Sequence, residues 1–104
     1  MRGIYGCDMR GMLSFQILWI LSKKSMHGDD IAEEIGKRRG EKPKAGTIYP
    51  ALKDLKNNHL IKGEKKGKTI VYSLTPLGRT SVRNARSYFV RCFIDVFENH
   101  RKND

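Results

Sequence analysis

The sequence has little cysteine and no long hydrophobic run, and each absence excludes a class of protein. Its two cysteines, Cys7 and Cys92, are too few and too far apart for a metal knuckle. We expect both thiols to be free in a reducing cytoplasm, with a disulfide between them as the alternative. The longest apolar run, from Ile17 to Leu21, is too short to cross a membrane. The opening residues MRGIYGCDMRG contain no apolar segment of the kind that a secretory signal requires.

Acidic residues are also scarce, and the positive charge that results is concentrated in one part of the chain. Twenty-one Lys and Arg stand against eleven Asp and Glu, a formal net charge of +10 in 104 residues. From residue 37 to residue 68 there are eleven basic residues against three acids, a net of +8. Such a concentration is typical of a protein that binds a polyanion, because each neutralised phosphate releases condensed counterions. The alternative is a solvated positive face that only keeps the protein soluble.

No arrangement of residues indicates catalysis, a cofactor or a metal. The chain has no nucleophile–base pair, phosphate-binding loop or set of metal ligands, so we expect neither an enzyme nor a cofactor. Asp29 and Asp30 next to His27 are paired acids, but their spacing matches no metal motif. Carboxylates in a first turn oppose the positive end of a helix dipole. We therefore interpret these acids as the first turn of a helix that starts at Gly28.

The stretch KAGTIYPALKDLKNNHLI, residues 44–61, predicts an amphipathic helix. Its apolar stripe has spacings of four and three and consists of Ile48, Leu52 and Leu55. Pro50 is tolerated only near a helix start, so the helix should begin shortly before it, with Thr47 as a possible N-cap. Asn57 or Asn58 is expected to adopt the left-handed conformation that ends the helix. The polar face of this helix suits the major groove of DNA. The candidate DNA-contacting residues on this face and just before the helix are Lys44, Gly46, Thr47, Tyr49 and Lys53.

Two helices are predicted before this stretch. Met12 to Ser22 is almost wholly apolar, and a helix of that kind must be buried on more than one side. Trp19 within it either faces a partner subunit or lies in the core. The second helix starts at Gly28, and its inward face carries Ile31 and Ile35. The basic segment Gly36–Pro43 is predicted to be a loop.

A β-hairpin is predicted after the helix. TIVYSL is β-branched and aromatic, and its residues Ile70, Tyr72 and Leu74 alternate with Val71 and Ser73, so it indicates a strand that ends at Leu74. Ile61 to Lys65 is the expected partner strand, and Lys66-Gly67 the turn. The hairpin tip carries Lys65, Lys66 and Lys68. A basic hairpin at this place suits contact with the phosphate backbone or the minor groove.

The last part of the chain predicts a long helix that joins two copies of the protein. Thr75 is the expected N-cap and Pro76 the first helical residue. A heptad seam follows, with spacings of three and four, and consists of Val82, Ala85, Phe89, Cys92 and Val96. So much apolar surface beyond a small completed domain indicates a homodimer, with Trp19 as a further contact. We expect a winged helix DNA-binding domain over 1–75 and a dimerisation helix over 76–104.

Three helices, a two-stranded wing and a long terminal helix make a winged helix-turn-helix, mainly α with a small β-hairpin. Over nearly its whole length the sequence resembles the PadR family of transcriptional regulators, in its short branch with a single terminal helix. GTIYPAL is the most specific part of the resemblance. The matching stretches are ILWILSKKSMHGDDI (17–31), GTIYPALKDL (46–55), NNHLI (57–61) and VYSLTPLGR (71–79).

The resemblance implies a homodimeric repressor that binds a palindromic operator and is often relieved by a small-molecule effector. By position, the family's DNA-contacting helix matches Lys44, Thr47, Tyr49 and Lys53, and its wing matches Lys65 to Lys68. The chain departs from the family at Asp29, where an aromatic residue is common, and at His59, where glycine is usual. Asn58 is therefore expected to end the recognition helix. A basic RNA-binding or chromatin-type module without effector response is the main alternative, and a protein-interaction module the next.

Overall fold

The computed structural model describes residues 10–103, which form four helices and a three-stranded antiparallel sheet. The helices are α1 (Arg10–Lys23), α2 (Gly28–Arg39), α3 (Ala45–Asn57) and α4 (Pro76–Asn103). The strands are β1 (Met26–His27), β2 (Ile61–Lys66) and β3 (Thr69–Leu74), in the order β1–β3–β2. The mainly helical winged helix predicted from the sequence is thus confirmed. Among the described residues, no helix is both long and apolar enough to cross a membrane.

The core lies around α1, which contacts all three other helices and β3. Ile17 and Ile20 of α1 are buried, as expected for a helix that is apolar nearly all round. The predicted apolar stripes of α2 and α3 also face this core. The most deeply buried side chains are Ile17, Ile20, Ile31, Ile35, Ile48, Leu52 and Ile61. Burial of each such side chain contributes about 1.5–3 kcal/mol, so the core fixes how the helices are oriented.

Helix α2 extends into the segment that the sequence predicts to be a loop. It continues to Arg39 and ends at Gly40, whose φ of 89° is left-handed and whose N–H donates to the Gly36 carbonyl at 2.8 Å. Glu34 accepts hydrogen bonds from Arg38 at 3.0 Å and Lys37 at 3.1 Å, which supports the last turn. These two partners lower the pKa of the Glu34 carboxyl. The prediction of a loop over Gly36–Pro43 is therefore wrong for its first half.

Both ends of α3 differ from the sequence expectation. Lys44 is the N-cap residue, in extended conformation and without a side-chain cap, so Thr47 lies in the first turn and does not cap the helix. At the other end, Asn58 has a φ of −90°, and the left-handed residue is His59 with a φ of 62°. The Asn58 side-chain amide instead donates to the Asp54 carbonyl at 2.9 Å. His59 therefore adopts the conformation for which the family's usual glycine is suited.

The sheet consists of the predicted hairpin and one unpredicted strand. β2 and β3 pair from Ile61 opposite Leu74 to Lys66 opposite Thr69, so the turn is Gly67-Lys68, one residue later than expected. Gly67 has a φ of 64°, in keeping with a type II′ turn, which has glycine at its first position. The short β1 pairs with the other edge of β3. Two residues are too few for a periodic pattern, so no feature of the sequence indicates β1.

Helix α4 is joined closely to the chain that follows α3. Thr75 Oγ1 accepts a hydrogen bond from the Gly78 N–H at 3.0 Å, which confirms Thr75 as the N-cap. The same hydroxyl donates to the His59 carbonyl at 2.6 Å, and the Thr75 N–H donates to the Leu60 carbonyl at 3.1 Å. A Cβ at Gly78 would overlap the Leu60 carbonyl oxygen. Only glycine fits at this junction.

We predict that Gly78→Ala destabilises the protein by about 1–3 kcal/mol or more, because backbone rather than a movable side chain blocks the added methyl group. Urea or thermal unfolding measures the change. Gly46→Ala is the matched control, since a Cβ at Gly46 meets no atom within 4 Å. Alanine favours helix over glycine, so the control should be as stable as the parent or more so. Equal stability of Gly78→Ala and the parent would contradict the described packing of α4.

Candidate nucleic-acid interface

The outer face of α3 carries the polar residues that the sequence predicts. Burial of its apolar stripe turns the other side of the helix to solvent. The predicted contact residues of this region are all exposed: Lys44, Gly46, Thr47, Tyr49 and Lys53. Tyr49 has 45% of its surface exposed, although it is aromatic. The helix therefore presents a phenol, a hydroxyl and cations together.

The wing lies on the same side of the molecule as Tyr49. Lys68 at the hairpin turn lines one cleft together with Tyr49, Ile70 and Tyr72. Burial raises the pKa of the Tyr72 phenol, and the neighbouring Tyr49 raises it further. The residues from His27 to Asp30, with two carboxylates, line the cleft as well, so α3, the wing and the start of α2 meet there.

The three predicted wing lysines are exposed at the hairpin tip. Lys65 and Lys66 end β2, and Lys68 lies in the turn. The Thr69 hydroxyl donates to the Lys66 carbonyl at 3.1 Å and closes the turn. Lys66 Nζ lies 3.8 Å from Glu64 Oε1, a surface ion pair that is worth little because water screens it. The wing therefore presents its positive charge at a defined turn.

Lys42 is a residue of this region that sequence reasoning missed. Its Nζ lies 3.0 Å from Glu33 Oε1 and 3.1 Å from Asp29 Oδ1, and these two carboxylates raise its pKa. The contacts join the loop before α3 to the outer face of α2. The signal in the sequence is the i, i+4 spacing of Asp29 and Glu33, which gives one face two carboxylates. Asp29, a departure from the family pattern, therefore has a structural contact of its own.

The predicted dimerisation seam divides into two parts. Val82 is only 5% exposed in the chain's own core, and Ala85 is half-buried. Phe89 stacks on Phe15 of α1 in the same chain, with ring centroids 5.6 Å apart and an angle of 15°. Cys92 and Val96 are exposed, Val96 by 55%. The expectation that the whole seam faces a partner is therefore corrected for its first half, which packs on α1.

Trp19 is partly buried against the core, as one of the two expected placements requires. Lys23 Nζ lies 4.1 Å from its ring centroid, and the Arg86 guanidinium carbon lies 5.8 Å away. These are cation–π contacts within one chain. Cys92 is a free thiol, and Cys7 lies outside the described residues.

From Tyr88 onwards, α4 leaves a group of large apolar side chains exposed. They are Tyr88, Val90, Phe93, Ile94, Val96 and Phe97. Phe93 and Phe97 lie near Phe89, with ring centroids 4.9 and 6.3 Å from it, and continue the aromatic row beyond its contact with α1. So many exposed apolar residues on one helix mark an interaction surface.

A winged helix with an exposed, basic recognition helix and wing defines the class of DNA-binding transcriptional regulators. The sequence profile of the transcriptional regulator PadR-like family matches residues 17–84. The chain therefore belongs to the PadR family, as the resemblance indicated. A search of curated protein sequences finds no significant match.

Solved structures of similar fold include RosR from H. salinarum, with 26% identity over 86% of each chain and a TM-score of 0.72. A PadR family transcription regulator from hypervirulent Clostridium difficile R20291 is 28% identical, over 86% of this chain and 98% of that one, with a TM-score of 0.70. A transcriptional regulator from Clostridium thermocellum shares the fold at 22% identity, over 86% and 94% of the two chains, with a TM-score of 0.75.

Proposed function

We propose that the protein is a homodimeric transcriptional repressor that binds a palindromic DNA operator. In each subunit α3 enters the major groove and the β2–β3 wing lies on the phosphate backbone or in the minor groove. The observation that carries the proposal is the shared cleft of Tyr49 and Lys68, since it puts the exposed start of α3 and the wing tip side by side. A duplex laid along this side meets both elements.

Within this surface the residues divide by the chemistry of their side chains. Thr47 and Tyr49 lie in the first turns of α3, where a recognition helix contacts base edges, and Gly46 lets the backbone approach closely. The lysines contact phosphates, which position the protein without reading sequence. They are Lys44 and Lys53 in the α3 region, and Lys65, Lys66 and Lys68 in the wing.

The homodimer follows from the geometry of an operator and from the surface of α4. Two half-sites lie about 34–36 Å apart, one turn of duplex, so the two recognition helices must be held at a fixed separation. The exposed aromatic and aliphatic residues in the second half of α4 offer an apolar surface for this purpose. We therefore propose that 76–104 is the dimerisation helix and that 1–75 is the DNA-binding domain.

Repression follows if the bound dimer excludes other proteins from the operator. A small molecule that relieves repression, as the family resemblance implies, would favour a conformation whose half-site spacing no longer matches the operator. The effector thus acts on the arrangement of the two subunits and needs no contact with DNA.

We predict that affinity for duplex DNA falls by roughly 10³–10⁵ between 50 and 200 mM salt, for about 6–10 phosphate contacts per dimer. Lys66→Ala with Lys68→Ala should weaken binding to all sequences alike and flatten the slope by about one unit for each phosphate that is no longer neutralised. Fluorescence anisotropy at several salt concentrations measures both effects. A salt slope near zero, or a preference for structured RNA in competition, would contradict the proposal.

Tyr49→Ala should cost a selected operator about 1–3 kcal/mol more binding free energy than random duplex, because the phenol no longer meets a base edge. The operator duplex is first obtained by in vitro selection with the parent protein. The wing double variant is the control, since it should weaken both duplexes equally. If Tyr49→Ala also weakens both duplexes equally, the tyrosine only positions the helix.

Val96→Glu should give monomers in light scattering and lose operator binding, because an unpaired charge buried in each subunit costs several kcal/mol. Val96 tests the interface better than Phe89, since it is 55% exposed and Phe89 packs on Phe15 of its own chain. Asn84→Glu, at an exposed polar position of the first half of α4, is the matched control and should remain dimeric. A dimeric Val96→Glu that binds normally would place the interface elsewhere.

A further inference from the structure

Gly28, the first residue of α2, lies directly under the ring of Tyr49. A Cβ built on Gly28 would be 2.8 Å from Tyr49 Cε1, 3.0 Å from its hydroxyl oxygen and 3.1 Å from Cζ. Each of these separations is shorter than carbon contacts in a packed interior, where about 3.5–4.0 Å is optimal. The ring therefore occupies space that exists only because residue 28 has no side chain.

The backbone at Gly28 does not itself require glycine. Among the described residues, the glycines with positive φ are Gly40 and Gly67, which end α2 and form the hairpin turn. Gly28 lies in regular helix after His27, which has extended φ and ψ of −72° and 160°. Alanine would favour this helix over glycine, so local stability argues against glycine here. The contact with Tyr49 is the feature that requires glycine.

The sheet contributes a second tyrosine to the cleft that Tyr49 lines. Tyr72 of β3 lines the same cleft, is only 8% exposed and lies close enough for the phenol of Tyr49 to raise its pKa. A Cβ at Gly63, which pairs with Tyr72 across the sheet, would be 2.9 Å from Ile70 Cγ2 and 3.4 Å from Tyr72 Cε1. Tyr49 itself has 45% of its surface exposed, so its ring can shift towards solvent.

We propose that Gly28 is a positioning residue for DNA recognition: by leaving space for the Tyr49 ring on α2, it sets where the phenol meets the bases. This inference rests on the proposed function, because it assumes that Tyr49 contacts operator DNA. Residue 28 touches no DNA in this arrangement and acts only through Tyr49. A methyl group at position 28 moves the outer end of a mobile side chain rather than backbone, so the fold survives while the phenol is displaced.

The test is a double-mutant cycle of the full chain with Gly28→Ala, Tyr49→Ala and both together. Each variant is titrated with the operator duplex selected by the parent protein and with a random duplex of equal length. Gly28→Ala should lower the ratio of operator to random affinity by about fivefold or more, the lower end of what removing a base-reading side chain costs. In the Tyr49→Ala background the same change should leave the ratio unaltered, because the two residues couple only by touching each other.

Two further readouts separate the inference from a structural effect. Thermal unfolding should show that Gly28→Ala remains folded, and NMR should show shifted resonances of the Tyr49 ring. If Tyr49→Ala lowers the ratio and Gly28→Ala does not, the inference fails and the proposed function stands. An equal reduction from Gly28→Ala with and without Tyr49 would also overturn it, as an effect independent of the ring. If the parent protein binds the selected operator no more tightly than random duplex, the proposed function fails, and the inference fails with it.

Discussion

Burial of Ile48, Leu52 and Leu55 is the constraint on which the candidate interface depends. These side chains fix the rotation of α3 about its own axis, since their exposure would cost about 1.5–3 kcal/mol each. Successive helical residues are about 100° apart, so the rotation that buries Ile48 turns both of its neighbours, Thr47 and Tyr49, towards solvent. The polar face is therefore a consequence of the core. A change in the core of α3 would alter this face without touching any of the residues proposed to contact DNA.

In the folded protein, several of the basic residues between 37 and 68 have partners within the chain. Lys37 and Arg38 pair with Glu34, and Arg39 donates to Gln16 of α1 at 2.8 Å. These cations of α2, like Lys42, are already engaged with groups of the protein. Exposed ion pairs are weak, so these cations can still contribute to the attraction of a polyanion beside those of α3 and the wing.

Sequence periodicity was sufficient to predict the helices, their buried faces, the hairpin and the exposure of Tyr49. It was insufficient where a contact joins distant parts of the chain. β1, for example, is defined only by its pairing with β3. The extra turn of α2 is a different case, since the ion pairs of Glu34 that support it are local, with Lys37 and Arg38 three and four residues further on. A heptad pattern indicates that Phe89 is covered but not whether α1 or a partner covers it. The sequence likewise does not indicate why residue 28 is glycine, because the reason is its contact with Tyr49 in the folded protein.

The junction of Thr75 and Gly78 with the end of α3 has a mechanical consequence. Helix α4 has 28 residues, so it extends for about 42 Å from this point. Two hydrogen bonds and a close backbone contact join the start of α4 to His59 and Leu60, directly after the recognition helix, so a tilt of α4 is transmitted to that end of α3. A tilt of about 10° displaces the far end of α4 by about 7 Å. A small rotation of α4 at the junction therefore produces a large displacement of its far end.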